Sequence, residues 1–338
     1  MDQGAFRRTT CAAIVFGCLL FGHSTVRSDD ALVIDHRCID LERVPADWIE
    51  AAKQQFRLSY GHTSHGSQII SGMDVIRGAP GSLYYWDHNG SSGGLSLWDS
   101  TPSGDLGNPD RYTWATLTRE MLNTSGCDRN VVMWSWCGQA DTTAANMQIY
   151  LDLMDDLIND YPNVTFIYMT GHLNGTGASG QLHARNNQIR DHVRATGGVL
   201  FDFADIESYD PDAAVYYLPL NADDACNYWS SSTQHNWATE WCAAHPGECS
   251  SCSCAHSQSL NCDMKGRAFW WMLARLAGWA GPDPIHGDLN GNGCVDLPDL
   301  AQLLSCYKQT NCGDLDGDGD TDLRDLAELL AHYGDGCP

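Results

Sequence analysis

The chain has 338 residues, 43% of them apolar, and a formal net charge of −24. That length suits one large domain with an appended module, and the apolar share suffices for a sizeable buried core. The acidity, much of it beyond residue 287, excludes a protein that grips nucleic acid or an anionic membrane by bulk electrostatics.

Residues 1–28 read as a secretory signal peptide. Arg7 and Arg8 precede an apolar run over 11–21, which is shorter than the roughly 20 residues of a membrane span. Cleavage is expected between Ser24 and Ser28. Val15-Phe16-Gly17 ahead of Cys18 leaves a lipoprotein signal as the alternative. No later segment has the composition of a transmembrane segment, so the mature chain is expected to be secreted, extracellular or at the cell surface. The 15 cysteines fit that compartment and read first as disulfides. This includes the cluster Cys249, Cys252 and Cys254, where zinc is the alternative. The number of cysteines between the signal and residue 287 is odd, so at least one thiol stays free there. Cys137, which ends an apolar strand, is the candidate.

After a mixed segment over 29–44, Asp47 is placed to cap a helix running to Phe56. Residues 57–60 form a short strand, 61–66 a polar turn, and 67–76 a helix with Ile69, Ile70, Met73 and Ile76 on one face. Residues 79–110, rich in Gly, Ser, Asp and Trp, read as a long loop. A helix near 111–122 leads to a buried strand over 131–136. A second helix over 142–159 is ended by Pro162, and a strand over 164–169 follows. Residues 181–195 are helical and 199–203 are a strand. Residues 221–262 are cysteine-rich and irregular, and 264–279 form an apolar final helix. Strands alternating with helices predict an α/β fold, a three-layer parallel sheet flanked by helices. Ligands in such folds bind beyond the carboxyl ends of the strands. Polar turns at 61–66, 137–141 and 170–175 all follow strand ends, so the site is expected there. The large domain is assigned to 29–280 and a stiff Pro-containing linker to 281–286.

Residues 287–338 hold the clear internal repeat. Oxygen-bearing side chains stand at loop positions one, three, five, nine and twelve in both copies, with Gly at six where the chain turns. Each loop is followed by an apolar helix. Calcium takes six to eight oxygen ligands, and this spacing supplies them. The segment resembles a type I dockerin, a small all-α, EF-hand-like module with Asp rather than Glu at position twelve. The resemblance implies two Ca2+ ions. Asp288, Asn290, Asn292, Asp296 and Asp299 would hold one, and Asp314, Asp316, Asp318, Asp322 and Asp325 the other. It also implies a cohesin-type docking partner. The pairs Cys306/Cys312 and Cys294/Cys337 are candidate staples outside the usual dockerin pattern, which leaves cell-surface or intramolecular docking open.

In the large domain, His62-Thr63-Ser64-His65-Gly66 joins a strand end to a helix start. A serine there projects at the sheet edge, with its own N–H near a helix N-terminus. It needs a base, and His256 stands just before the final helix. This pattern resembles the SGNH (GDSL-like) hydrolase superfamily over roughly 55–279. The resemblance implies a flavodoxin-like sheet, Ser64 as nucleophile and His256 as base. Gly138 and Asn174 would be the oxyanion donors. There is no Gly-Asp-Ser, and Ser253 stands where an Asp would precede the histidine, so His256 acts as half of a dyad or takes an acid from elsewhere, such as Asp223 or Asp224. His62, His65, Gln139 and His172 are placed as substrate contacts. The three histidines have a second reading as bases or a metal site. Asp202, Asp205 and Glu207 read as strand-end carboxylates. The resulting expectation is a secreted carbohydrate esterase that deacylates a polysaccharide, with Trp86, Trp98 and Trp114 stacking on sugars. The alternatives are a glycan-active lyase or glycosidase using His and carboxylates, and a non-catalytic glycan-binding or surface-structural protein.

Overall fold

The computed structural model describes residues 31–291, 293–308 and 312–336. The expected signal peptide, the proposed ligand Asn292 and Cys337 lie outside the described residues. Seven strands form one parallel sheet: β1 (Leu32–Ile34), β2 (Arg57–Gly61), β3 (Trp86–Asp87), β4 (Leu95–Asp99), β5 (Val131–Trp134), β6 (Thr165–Met169) and β7 (Val199–Phe201). Their order is β1-β7-β6-β5-β2-β4-β3. The fold is therefore α/β. All four residues of β5 are buried, as expected for a strand covered on both faces. One face carries α1 (Ala46–Gln55), α2 (Ser67–Ile76) and α8 (Ser259–Leu276). The other carries α3 (Thr113–Asn123), α4 (Ala144–Asp160) and α5 (Gln181–Thr196). No described helix is long and apolar enough to cross a membrane.

Several expectations need correction. The stretch 79–110 is not one loop, because it contains β3 and β4, and β4 pairs directly with β2. The alternation of Leu95 and Leu97, both buried, was masked by the polar residues around it. Residues 32–34 are an edge strand. The cysteine-rich stretch contains a hairpin, β8 (Asn227–Ser230) with β9 (Thr233–Asn236), and α7 (Trp237–Ala244). A four-residue helix, α6 (Phe203–Ile206), follows β7. The final helix begins at Ser259, five residues earlier than its apolar run suggests. Asp47 is exposed in the first turn of α1, and Pro45 is the residue at the cap. Trp86 and Trp114 are core residues, and Trp98 lies under the Arg129 guanidinium, 4.2 Å away. That tryptophan set is not a sugar platform.

Cysteines pair as Cys242–Cys249, Cys254–Cys262 and Cys306–Cys312. Cys294 is also disulfide-bonded. Cys137 is a free thiol, and so are Cys38, Cys127, Cys226 and Cys252. The cluster 249–254 therefore divides between two disulfides and one thiol.

The C-terminal segment has its own small core of Val295, Leu303 and Leu329, built between α9 (Leu297–Cys306) and α10 (Leu323–Ala331). Arg37 of the large domain reaches it, donating to the Gly291 carbonyl over 3.4 Å.

The closest helix packing is between α2 and α8, and glycines make it possible. A Cβ on Gly72 would lie 1.7 Å from the Cys262 carbonyl oxygen, and one on Gly266 would lie 2.2 Å from the Gly72 carbonyl carbon. Backbone meets backbone there, so neither side can yield by rotating a side chain. Gly266→Ala should lower stability by about 3 kcal/mol, the upper end for overpacking, read as a shift in the urea midpoint. An unchanged midpoint would contradict the backbone contact.

Candidate active site

All strands of the large sheet run parallel, so the turns after β2, β5 and β6 emerge on one edge. β2 ends at Gly61, where a Cβ would strike the Trp134 ring at 2.5 Å. The chain then makes a 3-10 turn, Ser64–Gly66, before α2. Three bonds fix this turn. The Thr63 N–H donates to Asp105 Oδ1 (3.0 Å), Tyr60 Oη to the Gly66 carbonyl (3.0 Å), and Ser67 Oγ to the Ser64 carbonyl (2.6 Å). Gly66 is required because a Cβ would lie 2.1 Å from Ser135 Oγ. Ser64 itself has φ +30, in the region that disfavours side chains. Strain held in place by surrounding bonds is characteristic of functional turns.

His256 comes from the opposite end of the domain. Its loop is closed by the Cys254–Cys262 disulfide and anchored through its neighbour, because Gln68 Nε2 donates to the Ala255 carbonyl over 2.6 Å. Gln68 is in turn held by Lys265, whose Nζ donates to Gln68 Oε1 (2.5 Å) and to Glu207 Oε2 (2.7 Å). The other Glu207 oxygen accepts the Leu173 N–H. Lys265 and Glu207 are fully buried. Burial pulls the Lys265 amine below its ordinary value, and the Glu207 carboxylate opposes that. One buried network therefore ties the α2 start, the α8 start and the turn after β6 together. His256 also has a positive φ, +62. The outcome is a hydrogen bond between Ser64 Oγ and His256 Nε2, residues 192 apart in sequence.

Three imidazoles form a stack at this edge. The His65 and His172 rings lie 3.9 Å apart and nearly parallel, and His256 stacks on His65 at 4.4 Å. His172 Nδ1 donates to the Leu173 carbonyl (2.6 Å). Asp224 enters from the loop before β8, which is bridged to the β6 turn by the Gly175 N–H on the Ala222 carbonyl (3.1 Å). Asp224 Oδ2 accepts from His65 Nε2 at 2.7 Å. Burial pushes the Asp224 carboxyl up, but the His65 hydrogen bond and the neighbouring His172, His65 and His256 outweigh it. Asp224 is held below its ordinary value.

Gly138 is exposed, with open space where a Cβ would point. Gln139 Oε1 accepts the Cys137 N–H (3.1 Å), leaving the amide nitrogen as its free end. Asn174 is tied elsewhere, its Nδ2 donating to Asp141 (3.2 Å) and its Oδ1 accepting from Thr176. His62 is buried away from the stack, with Nε2 on Asp99 Oδ1 at 2.5 Å and its ring against Tyr60. Asp202 forms a two-pronged ion pair with Arg190 (2.6 and 2.8 Å), and Asp205 pairs with His36. Glu207, expected as a strand-end carboxylate, is instead central to the buried network. Gln68 and Lys265 were not singled out for that role. The available signal was a glutamine one turn after Ser64 and a Lys-Gly pair inside an otherwise apolar helix.

Two clusters in the large domain bring donor atoms within 4.8 Å of one another: His65, Asp224 and His256, and Asp35, His36 and Asp205. In the second C-terminal loop Asp314, Asp316 and Asp325 converge, as do Asp320, Asp322 and Asp325. Asp318 instead pairs with Arg324 (3.3 Å). Buried Asp325 organises that loop by accepting the N–H groups of Leu315, Asp316 and Asp322. Asp299 does the same in the first loop for Asn290 and Asp296, and Asp288 accepts the Gly293 N–H. The Asp318 charge pushes Asp320 above the ordinary carboxylate range. An all-oxygen set wrapped by its own backbone and crowded with like charge fits a hard divalent cation.

No protein-family model, curated protein or solved structure matches this chain.

A carboxyl with a lowered folded-state value stabilises above its unfolded value, about 3.9, and loses that contribution as pH falls through the folded one. Asp224→Asn should therefore destabilise the protein at pH 7, with the gap to the parent narrowing below about pH 4. Urea titrations across pH test this, and a gap independent of pH would contradict it.

Proposed function

We propose that the protein is an exported SGNH-type serine hydrolase that removes acyl groups from a polysaccharide. The observation that carries the proposal is the Ser64–His256 hydrogen bond at the carboxyl edge of the sheet. In this reading Ser64 Oγ attacks the ester carbonyl while His256 Nε2 takes its proton, and His256 then returns the proton to the leaving sugar alcohol. Water repeats the cycle on the acyl-enzyme. Asp224, within 4.8 Å of donor atoms of both His65 and His256, supplies the negative charge that favours the imidazolium.

The developing oxyanion needs donors that are not already spent. Among the described residues, the N–H groups of Ser64 and Gly138 have no backbone acceptor. Gln139, with its oxygen anchored, offers its amide nitrogen in the turn that follows β5, the strand directly beside β2. It takes the role that Asn174, one strand further away and bound to Asp141, was expected to fill. His172, at one end of the stack, remains as a substrate contact.

Two features support a polymeric glycan as substrate. Trp229 stands 47% exposed on the β8–β9 hairpin that follows the Asp224 loop, a flat face suited to stacking on a sugar ring. The C-terminal loops support a calcium-loaded, dockerin-like module. Its exposed leucines occur at matching positions of the two repeats, Leu297 with Leu323 and Leu304 with Leu330. Such a surface suits docking onto a cohesin-type or cell-surface partner. The disulfides favour an extracellular setting.

A serine-directed fluorophosphonate should label the protein once, and Ser64→Ala should abolish labelling and lower ester turnover by roughly a thousandfold or more. Trp229→Ala should raise KM for an acylated polysaccharide while leaving turnover of a small ester unchanged. Unchanged turnover in Ser64→Ala would favour a lyase or glycosidase. Glycan binding with no labelling would favour a non-catalytic binding protein.

Calorimetric titration of the full chain should show two calcium ions. Asp325→Ala should remove one of them, and EDTA should lower the melting temperature of the C-terminal helices. Calcium binding unchanged by Asp325→Ala would refute this ligand assignment.

A further inference from the structure

The active edge holds a second nucleophile–imidazole pair that the serine reading does not use. Cys137 Sγ lies 3.4 Å from His65 Nδ1, and the other nitrogen of that ring is on Asp224 at 2.7 Å. Asp224 is held ionised by its histidine neighbours, so it takes the Nε2–H of His65. With Nε2 turned to Asp224, the ring presents Nδ1 to the thiol. The ring has little freedom to leave, because it is buried and sandwiched between His172 and His256.

The other thiols of the domain stand in contrast. Burial pushes Cys38 and Cys226 up to about 12 and Cys252 upward, so all three stay protonated. Cys127 is half-buried, and among the described residues no histidine is hydrogen-bonded to it. Cys137 combines partial exposure, an oriented base and room for a substituent, since the adjoining Gly138 faces open space.

From this we infer that Cys137, with His65 as base and Asp224 as its orienting carboxylate, is a reactive thiol that forms mixed disulfides with small-molecule disulfides. Cys137 Sγ attacks one sulfur of the disulfide R–S–S–R, and a new S–S bond forms as the old one breaks. His65 Nδ1 takes the thiol proton and passes it to the departing thiolate, which leaves as R–SH. The same compartment that maintains the protein's own disulfides supplies such co-reactants. The adduct sits next to Gly138 and Gln139, so it would close the edge on which Ser64 lies. The thiol chemistry itself is independent of Ser64.

The test uses the intact, oxidised chain and 2,2′-dithiodipyridine as the probe. Thiopyridone release gives the rates and peptide mass spectrometry locates the adducts. Cys137 is expected to react at least about tenfold faster than Cys127, with His65→Gln and Asp224→Asn each bringing it down toward the Cys127 rate. Ser64→Ala is expected to leave the Cys137 rate unchanged, which separates this result from the fate of the hydrolase reading. Reaction at Cys137 no faster than at Cys127 in the parent chain, or a Cys137 rate indifferent to both His65→Gln and Asp224→Asn, would overturn the inference.

Discussion

The buried Lys265–Glu207 ion pair, with Gln68 on its third side, is the interaction on which the site depends. Burying two charges costs more than their attraction returns unless every remaining donor and acceptor is satisfied. Here the remaining groups are satisfied by a glutamine one turn after Ser64 and by the Leu173 N–H beside His172. The desolvation cost is thus tied to joining three separate turns. An apolar replacement could fill the space, but it could not hold the Ala255 carbonyl through Gln68 and so set where His256 sits.

Glycine gives the network its reach. With side chains at 72 and 266 the two helices would stand further apart, and the Lys265–Gln68 hydrogen bond would not close. Close backbone packing, the Cys254–Cys262 staple and the buried pair all constrain one loop. They hold His256 at a positive φ opposite a serine that is also in the left-handed region. Two neighbouring strained residues on different elements imply that the fold's stability elsewhere is what holds this contact together.

Asp224 connects the His65 and His256 ends of the cluster at the edge. It is one carboxylate facing a stack of imidazoles, and the hairpin that follows it also carries the exposed Trp229. The segment 221–244 therefore supplies Asp224 to the cluster and carries an exposed aromatic face on its hairpin. The C-terminal loops use carboxylates differently, since there the like charges crowd one another around a backbone cradle.

Much of the architecture was legible in the sequence because hydrophobic periodicity is a local property. The strands at 57–61, 131–134 and 165–169, the helices between them, and the aspartate spacing of the two loops could be read without three dimensions. The pairing of Ser64 with His256 was anticipated only through the family resemblance, because His256 precedes α8 and follows no strand of the large sheet. The strands inside 79–110 were hidden, since short alternations among Gly, Ser and Asp carry little local signal. Asn174 and Gln139 could not be ranked from sequence either, because an amide's availability depends on its neighbours, and those are Asp141 and the Cys137 N–H. The sequence by itself determined the alternation of elements and the residue types available at the edge. Only the tertiary structure decided which imidazole meets which nucleophile, because that rests on contacts such as Gly72–Gly266 and Lys265–Glu207, whose partners lie far apart in the chain and leave no local pattern.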